Sequence, residues 1–103
     1  MHHSIESRRI EIAQLCRRFG VQRLDVFGSA ARGDDFDPAY SDADFLVSFA
    51  PEARAHAFAS YFDFKEALEA LLGCPVDLVM ADGVENPYLR VCIEGSREPL
   101  FAA

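Results

Sequence analysis

The sequence predicts a small α/β domain in which helices and strands alternate along the chain. Short apolar runs that end at Gly or follow Pro are typical of strands. Longer segments between these runs repeat their apolar residues at helical spacing. Half of the 103 residues are hydrophobic and nine are Phe, so these elements can share one core in two or three layers. We expect residues 1–103 to form a single domain.

The first helix is expected to begin at Ser4, a favourable N-cap, and to run through about Phe19. Gly20 ends it, because glycine readily adopts the left-handed conformation that terminates helices. Its apolar residues nearly share one face, namely Ile10, Ala13, Cys16 and Phe19. The pattern predicts one continuous helix with this face against the core.

The first strand, Val21–Phe27, ends at Gly28, which begins a turn. Ser29–Arg32 then opens a short helix whose free backbone N–H groups point at this turn. The stretch 33–41 is rich in acidic residues and contains Pro38. We therefore expect a loop there.

The second strand, Ala43–Phe49, is apolar almost throughout, as in a strand covered on both faces. Pro51 begins the next helix or leads into it, and Gly73 ends that helix. The predicted stripe on this helix runs through Phe58, Tyr61 or Phe62, Lys65, Leu68 and Leu72.

Three shorter elements complete the chain. Pro75 introduces the third strand, Val76–Met80. A helix is expected from Pro87 to Glu94, with Gly95 at its end. The segment 99–101 is predicted as an edge strand, because the Pro that begins it supplies no N–H to a ladder.

Charge and cysteine content argue against several classes of function. The net charge of −7 disfavours a non-specific grip on nucleic acid, which depends on clustered Lys and Arg. The three cysteines lack the spacing of a zinc site and indicate free thiols in a reducing cytoplasm. No apolar run reaches the length of a membrane span, and the first residues do not read as a signal peptide.

Three aspartates are candidate catalytic residues. Asp42 and Asp44 are two residues apart at the start of a strand, so both carboxylates should project to one face. Asp77 stands inside an apolar strand, where a buried charge is costly without a metal or cation. Nucleotidyl transfer needs divalent ions held by carboxylates, which offset the triphosphate charge and activate the attacking hydroxyl. We expect Asp42 and Asp44 to bind metal, and Asp77 to act as a further ligand or as a general base.

The Gly28-Ser29 turn is the candidate phosphate-binding segment. Gly28 allows a phosphate to approach the backbone, and Ser29 offers a hydroxyl and an N–H. Arg32 is a candidate for another phosphate oxygen. Each feature alone has a structural alternative: a strand-ending turn, solvated or capping acids at 42 and 44, and an exposed edge-strand acid at 77. Arg32 has the alternative of an ion pair with Asp34, Asp35 or Asp37.

These residues resemble the signature of the DNA polymerase β-type nucleotidyltransferase superfamily. More narrowly, they are similar to its minimal nucleotidyltransferase (MNT) proteins. Asp77 falls where that family places its third carboxylate, and Ala30 departs from the basic residue that many relatives carry there. The matching segments are Val26-Phe27-Gly28-Ser29, Ala31-Arg32-Gly33 and Ser41-Asp42-Ala43-Asp44-Phe45-Leu46-Val47.

The resemblance implies an α/β (α+β) fold of the polymerase β type, with a small mixed sheet and helices packed mainly on one face. It also implies transfer of AMP from ATP at a site with two Mg²⁺ ions. Proteins of this kind often act as the antitoxin of a HEPN-domain ribonuclease, and some AMPylate a tyrosine of that partner. Two alternatives are an adenylyltransferase for small molecules such as aminoglycosides, and a non-catalytic module that binds a toxin.

Overall fold

Four strands form one mixed sheet in the computed structural model. The structure describes residues 1–33, 36–37, 41–51, 57–83 and 86–103, without the side chains of residues 57 and 58. The strands are β1 (Val21–Phe27), β2 (Ala43–Phe49), β3 (Val76–Met80) and β4 (Glu98–Ala102). β1 lies antiparallel to both β2 and β4, and β3 lies parallel to β2, which gives the order β3-β2-β1-β4. The predicted bounds of β1, β2 and β3 are confirmed, as is the edge position of β4.

The described residues include five α-helices and a 3-10 turn. They are α1 (His3–Glu6), α2 (Arg9–Arg18), α3 (Ser29–Arg32), α4 (Ala57–Leu72), the 3-10 turn Ala81–Gly83 and α5 (Pro87–Ser96). The prediction that α4 begins at or after Pro51 falls partly on residues 52–56, which lie outside the described residues. Gly95 does not end α5 as predicted; the helix continues to Ser96 and its C-cap is Arg97. No helix among the described residues is both long and apolar enough to cross a membrane.

The sheet buries both of its faces, but unequally. On one face, Val26, Phe45 and Val47 belong to the large core that also holds buried side chains of α1, α2 and α4. On the other face, Phe27 and Leu46 pack with residues of α5. Because side chains alternate along a strand, each strand supplies both faces. Helices therefore lie mainly on one face, as the family resemblance implies, and α5 covers part of the other.

The first helix is not continuous, which corrects the prediction of a single helix from Ser4 to Phe19. His2 rather than Ser4 is the N-cap of α1, since the His2 Nδ1 atom accepts a hydrogen bond from the Ser4 N–H at 3.1 Å. At Ser7 the C-cap N–H bonds back to helix carbonyls, and α2 starts after Arg8. The chain thus makes one short turn of helix before the longer one begins.

The break also changes which side chains of the first segment face the core. Ile5, Ile12 and Cys16 are fully buried, whereas Ile10 is 75% exposed. The predicted stripe is therefore wrong at Ile10. On α4, Phe64 is buried while Phe62 is 47% exposed, so the core stripe there passes through Phe64, Leu68 and Leu72.

One charged side chain is buried beneath α5. Asp25 of β1 is 1% exposed and accepts hydrogen bonds from Arg97 Nε at 2.5 Å and Arg23 Nε at 3.2 Å. Arg97 also pairs with Glu94 on the last turn of α5. Two cations thus compensate the buried charge, and one of them fastens the end of α5 to the central strand.

The three cysteines are free thiols. Cys16 and Cys74 are buried as small apolar side chains, whereas Cys92 is exposed on α5. Cys92 is therefore a surface thiol, unlike the other two.

Candidate active site

Asp44 and Asp77 lie side by side at one end of the sheet. They are register partners in the parallel pair β2/β3, and paired residues of neighbouring strands project to the same face. This face is the one that α5 partly covers, since Leu46 follows Asp44 by two residues. Asp42 lies one residue before β2, and its charge acts on Asp44. The structure thus brings the three predicted acids to one place.

Asp77 is not buried, which corrects the premise on which the sequence argument for it partly rested. Its strand β3 is an edge of the sheet, and the side chain is exposed. Asp42 is exposed as well, whereas Asp44 is half-buried. The case for Asp77 as a site residue therefore depends on its register with Asp44 and not on the cost of burying it.

The electrostatics of the site converge on Asp44. The pKa of Asp44 rises from 3.8 to about 6, mainly because the carboxyl is partly buried and also because of the charges of Asp77 and Asp42, while the Arg32 guanidinium lowers it. A cluster of like charges with too little positive charge around it attracts cations. The site therefore has the electrostatic character expected of one that binds a metal ion.

Gly28 meets Asp44 at the end of β1. Phe27 is the register partner of Asp44, and Gly28 follows with φ +70°, which non-glycine residues rarely adopt. A Cβ atom on Gly28 would lie 2.6 Å from Asp44 Oδ2, well inside contact distance. The Gly28 carbonyl accepts hydrogen bonds from the N–H groups of Ala31 and Arg32, both at 3.1 Å. A side chain at this position would thus displace the carboxylate of Asp44.

Ser96, which the sequence did not indicate, holds the other side of this turn. The Gly28 N–H donates to Ser96 Oγ at 2.8 Å, and the Ser96 hydroxyl donates to the Cys92 carbonyl at 2.9 Å. The Gly28 amide is therefore already hydrogen-bonded within the protein, and Ser29 remains the candidate donor to a phosphate. No local signal could have revealed Ser96, because it lies 68 residues from Gly28.

Arg32 lies at the end of α3 and is exposed. Its charge lowers the pKa of Asp44, so it acts at the acid cluster. Asp37 is exposed, while Asp34 and Asp35, two of its alternative partners, lie outside the described residues. Arg32 thus lies between the Gly-Ser turn and Asp42 in the sequence, and its charge reaches Asp44.

The donors at this site suit magnesium in kind. Among the described residues, no three His, Cys, Asp or Glu side chains form a ready-made metal cage. Mg²⁺ prefers oxygen ligands and is commonly bound by one or two carboxylates together with water and substrate phosphates. Two adjacent carboxylates with a third nearby therefore fit an ion that binds together with a nucleotide.

A cavity of about 300 Å³ opens on the same face of the sheet, beneath α5. Leu46 and Ile93 form part of its apolar lining, and Arg97 contributes to its polar side. Leu46 follows Asp44 by two residues on this face, so the cavity neighbours the acids.

Carboxylates gathered beside a glycine turn, on a mixed sheet with helices mainly behind it, are the arrangement that transfer of nucleotidyl groups with divalent ions requires. A family model agrees with this reading over most of the chain. The chain belongs to the nucleotidyltransferase domain family, whose model matches residues 10–99.

Known proteins of this family resemble the chain closely. The protein adenylyltransferase MntA of Thermococcus cleftensis is 40% identical over 80 residues, which are 78% of this chain and 76% of that protein. A solved structure provisionally assigned as a minimal nucleotidyltransferase has a TM-score of 0.76 and 37% identity, with 97% of both chains covered. A chain in a solved Shewanella oneidensis complex of tri-AMPylated HEPN toxin with MNT antitoxin shares the fold, with a TM-score of 0.60, 21% identity, and coverage of 95% of this chain and 72% of that one.

Proposed function

We propose that residues 1–103 form a minimal nucleotidyltransferase domain that transfers AMP from ATP to a tyrosine of a HEPN-type toxin and thereby acts as its antitoxin in the cytoplasm. The observation that carries this proposal is the register of Asp44 with Asp77, with Gly28 directly against Asp44. The similarity to a protein adenylyltransferase supports a protein acceptor. The fold shared with an AMPylated toxin–antitoxin complex supports the kind of partner.

Each site residue has a role in the proposed reaction. Asp42 and Asp44 hold Mg²⁺, and Asp77 is a third ligand or the base that takes the proton of the acceptor hydroxyl. Because Gly28 has no side chain, the Asp44 carboxylate can lie directly against the turn, while Ser29 and Arg32 bind the triphosphate oxygens. When bound, Mg²⁺ offsets the triphosphate charge and makes the acceptor hydroxyl more acidic.

The reaction is a displacement at the α-phosphorus. The acceptor oxygen forms a bond to this phosphorus, the bond to the bridging oxygen breaks, and pyrophosphate leaves. The proton of the acceptor hydroxyl passes to the base or to solvent. Because the pKa of Asp44 is about 6, this carboxylate is ionised at neutral pH even without metal, as its role requires.

The test uses the purified chain, ATP, MgCl₂ and the protein encoded by the gene next to its own. We expect mass spectrometry of that protein to show the addition of AMP at a tyrosine, and the addition to disappear with EDTA. A parallel reaction offers an aminoglycoside as acceptor. Labelling of the aminoglycoside but not of the protein would contradict the proposed acceptor class.

The double variant Asp42→Asn/Asp44→Asn separates catalysis from contact. It removes two negative charges with little change in shape, so we expect it to fold, to keep any affinity for the partner and to lose AMP transfer. Cells carrying the toxin should then lose protection. Full protection by the double variant would show that contact alone neutralises the toxin, and the non-catalytic module would be the better account.

A further inference from the structure

An open groove of about 350 Å³ lies between α2 and the edge strand β4. Ile10, Ala13 and Phe101 form its apolar floor, with Arg9 and Arg17 along the same side of α2. Because β4 and β3 are opposite edges of the sheet, this groove is separate from the acid cluster beside β3. The groove is therefore not a part of the nucleotide site.

The floor of the groove exposes apolar surface to water. Ile10 is 75% exposed and lies in the first turn of α2, an amphipathic helix whose buried side chains are Ile12 and Cys16. Phe101 is partly exposed, and the Arg17 guanidinium lies 5.7 Å from the centre of its ring. An exposed isoleucine beside an aromatic ring is the type of anchor site that apolar side chains of a partner fill.

The charge around the groove is opposite to that of the protein as a whole. The chain carries a net charge of −7, yet the stretch 8–23 contains five of its ten Lys and Arg residues and a single acid, Glu11. Arg9 forms an ion pair with Glu6, but both side chains are about half exposed, so exchanging this partner costs little. The groove is thus complementary to acidic ligands.

The spacing of the two arginines defines the ligand further. Arg9 and Arg17 are eight residues apart on one helix, which corresponds to about 12 Å along its axis. In an extended segment, residues i and i+4 are about 13 Å apart and share a face with residue i+2. We propose that the groove binds an extended segment of a partner protein with the pattern acidic-x-apolar-x-acidic. The two carboxylates pair with Arg9 and Arg17, and the central side chain packs in the groove between them, where Ala13 and Phe101 line it.

Two features of β4 indicate recognition through side chains and not by addition of a strand. Pro99 supplies no N–H, and the register of β4 with β1 shifts between Leu24 and Asp25. Irregularities of this kind protect sheet edges from pairing with another strand. The ligand is therefore held by its carboxylates and its apolar anchor, which gives it a sequence requirement.

The first test measures binding of a labelled peptide, Gly-Glu-Ser-Leu-Ser-Glu-Gly, by fluorescence anisotropy. We expect saturable binding that weakens when salt is raised. Peptides with both Glu replaced by Lys, or with Leu replaced by Ser, should bind at least about tenfold more weakly. Equal binding of the three peptides, or no binding at millimolar concentration, would overturn the proposal.

The second test uses matched variants of the protein. Ile10→Glu places a like charge in the groove and should weaken binding about tenfold or more. Val91→Glu is the control, because Val91 of α5 is 71% exposed, comparable with Ile10, and lies outside the groove. Arg17→Glu should abolish binding of the original peptide. The same variant should bind a peptide in which the Glu that pairs with residue 17 is changed to Lys. An equal loss in Val91→Glu, or a failure of this charge exchange, would contradict the assigned site.

A second copy of the chain is the competing occupant of the groove. Sedimentation of the unmodified protein and of Ile10→Glu tests this possibility. If the unmodified protein is a dimer and Ile10→Glu is a monomer, the groove serves self-association and the proposal of a partner segment is overturned. None of these variants alters the acid cluster, so failure of the groove proposal leaves the proposed AMP transfer untouched, and the reverse also holds.

Discussion

Replacement of Asp44 by Asn should stabilise the metal-free protein at neutral pH while abolishing nucleotidyl transfer. Burial, together with repulsion from Asp77 and Asp42, raises the pKa of Asp44 from 3.8 to about 6. A rise of the pKa from 3.8 to about 6 corresponds to about 3 kcal/mol for a carboxyl wholly withdrawn from solvent. Because this side chain is half exposed, solvent screening reduces the expected cost of ionising it to about 1 kcal/mol.

The pH dependence of this effect has a defined direction. The pKa of Asp44 is higher in the folded than in the unfolded chain, so the neutral carboxyl favours folding. That contribution is fully present below pH 4 and is lost as the pH rises through about 6. Asn carries no charge at any pH, so the advantage of the variant over the wild type should appear only above this window.

Thermal unfolding followed by circular dichroism in EDTA measures the effect. At pH 7.5 the variant should unfold about 4–8 °C above the wild type, and at pH 4 the two should coincide. Adding MgCl₂ should raise the midpoint of the wild type and leave the variant nearly unchanged. Asp63→Asn is the control, because Asp63 is an exposed acid on α4 outside the cluster. Destabilisation of the Asp44 variant at pH 7.5, or an equal gain at both pH values, would refute the reasoning.

Three further predictions follow from contacts of α5 and the glycine turn. Ser96→Ala should raise KM for ATP with a smaller effect on kcat, because the Ser96 hydroxyl accepts the hydrogen bond of the Gly28 N–H. Ser96→Thr keeps a hydroxyl and should have the KM of the wild type, so equal defects in both variants would contradict this role. Arg97→Met should lower the free energy of unfolding, measured by urea titration, by about 3 kcal/mol, because it leaves Asp25 with one cation. The double variant Arg97→Met/Asp25→Asn should recover part of this loss, because it also removes the buried charge. Gly28→Ala should lower the thermal midpoint as well as ATP affinity, because its Cβ collides with Asp44; an unchanged midpoint would show that the turn adapts.

The strands were predictable because their signals are local. Glycines flank β1, Asp42 precedes β2 and Pro75 precedes β3, and the structure begins and ends each of these strands at the predicted residues. The pair Asp42 and Asp44 was likewise visible as an i, i+2 spacing. Local spacing thus carried both the sheet and the centre of the site.

Interactions between distant parts of the chain could not be predicted in this way. The start of α1 depends on His2, which caps the helix and whose backbone N–H donates to the carbonyl of Ala30. In the sequence, Asp25 cannot be distinguished from a polar residue on the exposed face of a strand, because its partner Arg97 is 72 residues away. Hydrophobic periodicity contains no information about such partners, so it misassigned Ile10 and gave no indication of Ser96.

The two bonds that fasten the end of α5 to β1 have a consequence for the order in which the enzyme is made. A ribosome that has released residues 1–80 has already delivered Gly28, Asp44 and Asp77. The hydroxyl that fixes the glycine turn and the cation that neutralises Asp25 belong to residues 96 and 97 and emerge later. Domains complete their folding only when their last structural segments have emerged. The glycine turn should therefore become organised only after residues 96 and 97 have emerged, when all three acids are already in place along the nascent chain.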